Sequence, residues 1–175
     1  MQAFRAPWRG SCLHDHGAAV DIDNVEWLPL LGARPRRSGF GGPKEGQPFP
    51  HLIPASDPDR TLVISTWRQQ ALRYRQSDDH NPLHVDPAAE RAVGFPEPIL
   101  HGLCTYGICQ RAVLGEYANI APDSIQEIGV RFANVVFPGE SIRIDLWQDG
   151  SVISFEAFVD ERNVKVIGSG RAVLR

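Results

Sequence analysis

One helical pattern followed by a series of alternating segments constrains the fold of this chain more than any other feature. From Leu100 to Tyr117, apolar and small residues recur at the spacing of a helix. After Pro122 the pattern changes to the alternation that is typical of strands. The predicted strands lie at residues 61–65, 125–137, 141–147, 152–159 and 164–174. One long helix with an antiparallel set of strands predicts the α+β class.

The apolar stripe of the long helix contains small residues, and these would let a sheet approach closely. Its members are Leu100, Leu103, Cys104, Gly107, Ile108, Ala112 and Gly115. A sheet wrapped around a buried helix is the hot-dog arrangement. The spacing alone is equally consistent with another α+β sandwich.

Composition places the chain among ordinary globular proteins. It has 175 residues, of which 42% are hydrophobic and 22% charged, so one domain with a real core is expected. The net charge of −3 argues against a nucleic-acid partner. No apolar run is long enough for a membrane span or a signal peptide. The three widely spaced cysteines give no disulfide framework, which favours a cytoplasmic location.

The first 60 residues differ from the rest because glycine and proline recur in them. We therefore predict an irregular segment at 1–60 and a domain at 61–175. A strand at Val20–Val25 is a weaker expectation within the segment. His14–His16 suggests a surface turn rather than a metal site, because adjacent residues rarely converge on one ion. The arginines at 34, 36 and 37 suggest a solvated run.

Shorter elements surround the long helix. Thr66 is predicted to cap a helix over residues 67–76. Another helix is predicted over residues 87–93, with proline at its first position and Gly94 after its end. Turns are predicted at residues 138–139 and 149–150.

The segment from Asp79 to His84 has the strongest chemical character. Pro82 prevents a continuous helix there, so the chain must turn. A turn can direct Asp79, Asn81 and His84 at one small volume, as acid–base chemistry requires. The residues alone are also consistent with a hydrogen-bonded structural turn. A metal pair of His80 and His84 is disfavoured because Pro82 interrupts the helix that it would need.

The segment Tyr74–Pro87 resembles the signature of the MaoC-like dehydratases, also called hydratase 2 or (R)-specific enoyl-CoA hydratases. The resemblance continues through residues 95–105 and the turn at Phe137–Glu140, and it covers about residues 61–175. It implies a hot-dog fold. It also implies reversible hydration of a trans-2-enoyl-CoA thioester to the (3R)-3-hydroxyacyl-CoA, a hydro-lyase reaction of fatty-acid metabolism.

The resemblance assigns roles to four residues. Asp79 and His84 would be the acid–base pair, and Asn81 would help to fix them and a water molecule. The backbone N–H of Gly102 would stabilise the thioester oxygen, and this N–H is unpaired at a helix start, where the dipole favours negative charge. His101 is interpreted as a helix-start or packing residue. Acyl-CoA is the expected substrate, and neither a cofactor nor a metal is expected.

Two departures from the family pattern stand out. Asp78 occupies the position before the catalytic aspartate, where the family usually has glycine. Gly39–Pro43 resembles the segment that joins two repeats in double hot-dog hydratases, but only about 38 residues precede it, too few for a repeat. The chain therefore resembles the catalytic C-terminal half of such an enzyme, and we expect a homodimer or a second hot-dog chain as partner.

Two rival functions remain. One is a non-catalytic or partner-dependent hot-dog subunit, which the short chain favours and the intact Asp79, Asn81 and His84 oppose. The other is an acyl-CoA thioesterase, which commonly carries a carboxylate on the central helix. Residues 100–115 contain no carboxylate, and the first in the helix is Glu116.

Overall fold

The computed structural model describes residues 50–175. The expectations for Val20–Val25, His14–His16, the three arginines and Gly39–Pro43 lie outside the described residues. Residues 50–59 are irregular. The boundary between segment and domain at residues 60 and 61 stays a prediction.

The helices and strands are β1 (Arg60–Ser65), α1 (Gln70–Tyr74), α2 (Pro87–Val93), α3 (Gly102–Tyr117), β2 (Ile125–Phe132), β3 (Ser141–Asp149), β4 (Val152–Val159) and β5 (Val164–Leu174).

The strands form one antiparallel sheet in the order β1-β3-β4-β5-β2. The register places Leu62 of β1 opposite Ile144 of β3. The β3–β4 hairpin turns at Gly150, whose positive φ of 59° favours glycine. Gly139 has a φ of 104° in the predicted turn before β3. The predicted hairpin and the antiparallel set are therefore confirmed.

The predicted strand over residues 125–137 is too long, because β2 ends at Phe132. The N–H of Ala133 still donates to the carbonyl of Val166. Beyond Ala133, the backbone forms hydrogen bonds with side chains and with Leu100 rather than with a neighbouring strand. Arg162 donates to the carbonyl of Val135, and the N–H of Phe137 donates to the Glu140 carboxylate. These bonds hold residues 133–140 as a loop beside the sheet.

Helix α3 packs against the core with a face that overlaps the predicted stripe in part, since Leu100, Cys104 and Ala112 are buried and Ile108 packs against the core. Its buried residues are Cys104, Thr105, Tyr106, Cys109, Ala112, Val113 and Leu114. Leu103 is 45% exposed, and Gly107 and Gly115 face open space. The prediction that these three residues belong to the face that packs on the sheet is therefore wrong. Large buried side chains such as Phe155, Ile142 and Leu146 fill the sheet side of the core, and small buried helix residues such as Cys109 and Ala112 face them.

The region before α2 also differs in detail from the sequence prediction. Helix α1 spans Gln70–Tyr74 and continues as a 3₁₀ turn over Arg75–Ser77. Thr66 does not cap it. The Thr66 hydroxyl donates to the carbonyl of Glu140 and accepts from the N–H of Gly139, so it fixes the turn before β3.

Helix α2 matches its prediction in full. Asp86 caps its start by accepting the N–H of Ala88, and Gly94 ends it at a φ of 94°. Across residues 50–175, none of the helices has both the length and the apolar character that crossing a bilayer requires.

Candidate active site

The turn that carries the acid–base candidates is held by its own side chains. Asp78 adopts a left-handed conformation, with a φ of 72°, at the end of the 3₁₀ turn after α1. Asp79 Oδ1 accepts the N–H of Asn81 at 3.2 Å. Asn81 Oδ1 in turn accepts the N–H of Leu83 at 3.1 Å and begins a second 3₁₀ turn over Pro82–His84. These bonds give the turn a fixed shape independent of the sheet.

His84 is buried, and one of its ring nitrogens has a protein partner. His84 Nδ1 lies 2.8 Å from the carbonyl oxygen of Ile99. A carbonyl can only accept, so Nδ1 carries the proton, and in the neutral ring Nε2 keeps its lone pair. Burial lowers the pKa of His84 from its ordinary value, and this outweighs the opposing effects of the Ile99 bond and the Asp79 charge. His84 is therefore a neutral base at neutral pH.

Asp79, His84 and His101 form one cluster. Each offers an oxygen or nitrogen atom, and these three atoms lie within 4.8 Å of one another. His101 Nε2 is 4.0 Å from Asp79 Oδ2, and the His101 ring stacks on that of His84 with centroids 3.7 Å apart. The Asp79 side chain is 33% exposed, whereas His101 is 1% exposed. The carboxylate therefore reaches the surface of the cluster, and the imidazoles form its inner wall.

Asn81 contributes to this site through the shape of the turn. Its Oδ1 accepts the N–H of Leu83, and its Nδ2 group is a donor that could meet a water molecule. The predicted role of Asn81 in fixing the water stays a prediction.

Gly102 is the first residue of α3 and directly follows His101. Its N–H belongs to the first turn of the helix, where backbone donors lack intrahelical partners and the dipole favours negative charge. A Cβ added to Gly102 would meet the ring of Phe132 at 3.4 Å, an ordinary contact distance. The protein itself therefore leaves room for a small side chain at this point.

The same cluster is the set of described residues that could hold a metal ion, through one oxygen and two nitrogens. The His84 and His101 rings are stacked with centroids 3.7 Å apart and an angle of 26° between their planes, so their in-plane lone pairs lie in separate, nearly parallel planes. Two imidazoles that share an ion must instead aim their lone pairs at one point, about 2.0–2.1 Å from each nitrogen for zinc. This stacking fits a chelate poorly.

His101 is the site residue that the sequence reasoning did not assign to the cluster. His101 was expected to start the helix or to pack, and it does lie at the start of α3 with a buried ring. What the sequence did not indicate is that this ring lies against Asp79 and His84. The available signal was its position immediately before Gly102, at the head of the predicted helix.

Residues 52–169 match the family model described as the MaoC like domain. The chain belongs to the MaoC-like domain family. The peroxisomal multifunctional enzyme type 2 of Drosophila melanogaster is 40% identical to it over 166 residues, which are 92% of this chain and 27% of that protein. The peroxisomal enoyl-CoA hydratase 2 of Arabidopsis thaliana is 40% identical over 115 residues, which are 66% of this chain and 37% of that protein.

Solved structures of MaoC-like proteins share the fold. The full-length Drosophila enzyme superposes with a TM-score of 0.73 and 41% identity over 77% of this chain and 25% of its own. The MaoC-like dehydratase from Phytophthora capsici gives a TM-score of 0.72 and 37% identity over 74% of this chain and 46% of its own. The predicted α+β hot-dog fold is confirmed. This MaoC-like chain spans about a quarter to a half of the length of these relatives.

Proposed function

We propose that this chain catalyses the (R)-specific hydration of a trans-2-enoyl-CoA to the (3R)-3-hydroxyacyl-CoA, and the reverse dehydration. The observation that carries the proposal is the cluster of Asp79 with His84, whose Nε2 is left unprotonated, at the head of α3. The similarity to relatives named as enoyl-CoA hydratases supports the same reaction.

The distance within the pair suits one water molecule. A carboxylate oxygen of Asp79 and a ring nitrogen of His84 lie within 4.8 Å of each other. Acceptors at such a separation can both receive hydrogen bonds from a single water, because each such bond spans about 2.8 Å. His84 Nε2 and the Asp79 carboxylate are both acceptors, so the water would direct its two hydrogens at them and its oxygen lone pair at the substrate. We infer that this oxygen attacks Cβ of the enoyl group.

Asp79 and His84 together gain one proton and lose one proton in this step. As the water oxygen bonds to Cβ, the pair takes one proton from the water and returns one proton to Cα on the same face. The carbon–carbon double bond becomes a single bond, and the protonation of Asp79 and His84 ends as it began. General acid–base catalysis of this kind contributes about 10²–10⁴-fold to the rate.

Negative charge develops on the thioester oxygen during this addition. We infer that the backbone N–H of Gly102 stabilises this charge. This N–H belongs to the first turn of a 16-residue helix. A backbone donor aimed at a developing oxyanion is worth about 10²–10³-fold in rate. We infer that the acyl thioester enters past Asp79, the exposed member of the cluster, with its oxygen toward this helix start.

The reaction as proposed needs no cofactor or metal besides the CoA thioester itself. Solvent supplies the water, and the residues named above supply the proton transfers and the oxyanion donor. The thioesterase alternative is weakened by the place of Glu116, which lies fourteen residues after Gly102 and therefore about 21 Å along α3. Glu116 pairs with Arg60 instead, at 3.5 Å.

We also propose that a second copy of this chain, or a second hot-dog chain, covers one face of the molecule. A groove of about 430 Å³ opens between edge strand β1 and α3. It is lined by Leu62, Val63, Ile64, Ser65, Arg111, Ala112, Gly115 and Ile120. Val63 and Ile120 are exposed there, and an uncovered edge strand is a site for pairing with another chain. Light scattering should give at least twice the monomer mass, and an active monomer would contradict this.

The cytoplasm is the proposed location. Cys104 and Cys109 are free thiols in the core, which suits a reducing compartment. The named relatives from Drosophila and Arabidopsis carry peroxisomal names, so cell fractionation with an antibody to the native protein should compare these two compartments directly.

A hydration assay tests the main proposal. The purified chain should hydrate crotonyl-CoA and longer enoyl-CoA substrates, and chiral analysis should identify the (3R) product. Asp79→Asn and His84→Gln should each abolish hydration while thermal melts stay cooperative. Normal rates in either variant, an (S) product, or release of free CoA without hydration would refute the assignment. Activity that appears only with an added partner chain would support the partner-dependent alternative.

A further inference from the structure

His101 has a buried polar side chain that does not perform the usual task of its position. It is the residue before α3, and its side chain forms no capping hydrogen bond. Asn81 and Asp86 hold the same kind of position, and both cap by accepting a backbone N–H. The side chain of His101 instead points into the protein, where it is 1% exposed. Capping therefore does not explain a histidine here.

Packing does not explain it either. The His101 ring lies 3.7 Å from the ring of His84 and 4.7 Å from that of Tyr74, between centroids. Within residues 50–175, neither of its nitrogens has a hydrogen-bond partner. A buried polar atom left unpaired costs about 1–3 kcal/mol, so an apolar ring would fill this stack at lower cost. The unpaired nitrogens point to a contact that forms only with substrate or along the reaction.

Asp79 is the group placed to make that contact. His101 Nε2 and Asp79 Oδ2 are 4.0 Å apart, which is too long for a direct hydrogen bond but becomes one after a shift of about 1 Å. Burial, followed by the nearby His84, lowers the pKa of His101 to about 4, although the charge of Asp79 and the nearby backbone of Asp79 oppose the change. The neutral ring carries one N–H that can donate, and it does not compete with His84 for a proton.

We propose that His101 is a positioning residue for the Asp79–His84 pair: it holds the His84 ring by stacking and donates a hydrogen bond to Asp79 as the pair closes on the water. This inference rests on the proposed hydration. His101 exchanges no proton with the substrate. Its effect is to fix the two reacting side chains, and misplacement of such groups by about 1 Å can cost about 10²-fold in rate.

Two substitutions separate the stacking from the hydrogen bond. His101→Phe keeps an aromatic ring and removes both nitrogens, and His101→Asn keeps a donor and removes the ring. For crotonyl-CoA we expect kcat of His101→Phe to fall about 10–100-fold with little change in KM, and kcat of His101→Asn to fall less. The melting temperature of His101→Phe should equal or exceed that of the wild type, because no buried nitrogen is left unpaired. Tyr106→Phe, a buried position on the same helix, is the control and should leave kcat unchanged.

The outcomes distinguish this inference from the function on which it rests. Absence of hydration by the wild type would refute the proposed function. Hydration by the wild type with an unchanged kcat in His101→Phe would refute the positioning role alone. A parallel loss of stability and kcat in both variants would assign His101 to packing and overturn the inference. Loss of the acid limb of the pH–rate profile in His101→Phe would make His101 the titrating base, which also overturns it.

Discussion

His84 Nδ1 lies 2.8 Å from the carbonyl oxygen of Ile99, a residue fifteen positions later in the chain. This bond fixes the tautomer of the ring and leaves Nε2 as its basic atom. The loop that supplies Ile99 is itself tied down, because the N–H of Ile99 donates to Leu83 and that of Leu100 donates to Val136. The tautomer of His84 is thus fixed by a loop that lies fifteen residues later in the sequence.

The lowered pKa of His84 predicts the acid limb of the pH–rate profile. Protonation of His84 removes the lone pair that accepts the proton from water, so the rate of hydration should fall as the pH drops through this pKa. Burial places the pKa below the ordinary 6.5. We therefore expect kcat/KM for crotonyl-CoA to fall with decreasing pH and to reach half of its plateau value only below pH 6.5. A midpoint above 6.5 would contradict this.

Solvent-exposed His80 provides the matched control for that profile. It lies in the same turn, and its Nε2 is 3.1 Å from the Asp78 carboxylate. His80→Gln should leave the position of the acid limb unchanged. A shifted limb in this variant would mean that the surface pair, rather than His84, sets the profile.

The sequence predicts the elements of the fold because their signals are local. Alternation along 152–159 and 164–174 and the glycine at 150 each act within a few residues, and the structure follows them. Thr66 shows the limit. Its hydroxyl forms hydrogen bonds with Gly139 and Glu140, which lie more than seventy positions away. The residues around Thr66 do not indicate that it bonds to this distant turn instead of capping a helix. The inward orientation of His101 depends on distant rings in the same way.

Gly102→Ala should impair activity without harming the fold. The added methyl would rest on the Phe132 ring at 3.4 Å, and alanine is a better helix former than glycine. The methyl would nevertheless obstruct a thioester that must approach the backbone N–H closely. We expect kcat/KM to fall at least about tenfold with an unchanged or higher melting temperature, since a good donor of this kind is worth about 10²–10³-fold.

Gly107→Ala is the control for Gly102→Ala. Gly107 lies on the same helix, and a Cβ there would meet no atom within 4 Å. The control should keep full activity and gain up to about 1 kcal/mol in the free energy of unfolding. If both variants keep the wild-type kcat/KM, the oxyanion role of Gly102 is wrong.

Asp78 occupies a backbone conformation that favours glycine, with a φ of 72°. Its carboxylate is 97% exposed and contacts His80, so it contributes little packing. Left-handed conformations cost an L-residue about 1–2 kcal/mol, and aspartate tolerates them better than alanine does. Asp78→Ala should therefore lower the free energy of unfolding by about 1 kcal/mol, and Asp78→Gly should keep or raise it. Denaturant titration checks the order.

Asp123→Gly is the control for the Asp78 variants, because Asp123 is not among the described residues with a positive φ. Glycine there should destabilise through its greater freedom in the unfolded chain. Stabilisation by glycine at both positions would remove the conformational explanation for Asp78.

Removal of metal ions should leave hydration unaffected. The stacked rings of His84 and His101 hold their lone pairs in separate, nearly parallel planes, which suits acid–base work better than chelation. After exhaustive dialysis against EDTA, we expect the rate with crotonyl-CoA to equal that of the untreated enzyme, and metal analysis to find substoichiometric zinc. A rate lost with EDTA and restored by zinc would assign the cluster to a metal.

The buried Glu90 should make the protein less stable as the pH rises. A carboxylate usually has the opposite effect, because its pKa is usually lowered on folding. Glu90 is fully buried in α2, and within residues 50–175 neither carboxylate oxygen makes a hydrogen bond of ordinary length and angle. Burial raises the pKa of Glu90 above its ordinary 4.5 and outweighs the opposing effect of the Ile99 backbone, and the charges of Asp86 and Glu97 act in the same direction as burial. The folded state therefore holds this proton more tightly than the unfolded state. Stability is present below pH 4.5 and is lost as the pH rises through the raised pKa.

Two substitutions at Glu90 test that sign. Glu90→Gln should remove the loss of stability that begins above pH 4.5, because the amide does not ionise. Glu90→Met should also raise the free energy of unfolding at pH 7 by about 1–3 kcal/mol, since no buried polar atom is left unpaired. Glu97→Gln, at an exposed carboxylate, is the control and should keep most of the wild-type dependence on pH. Thermal melts between pH 4.5 and 7.5 measure all four proteins, and a Glu90→Met variant less stable than the wild type at pH 7 would show that the carboxylate has a favourable partner after all.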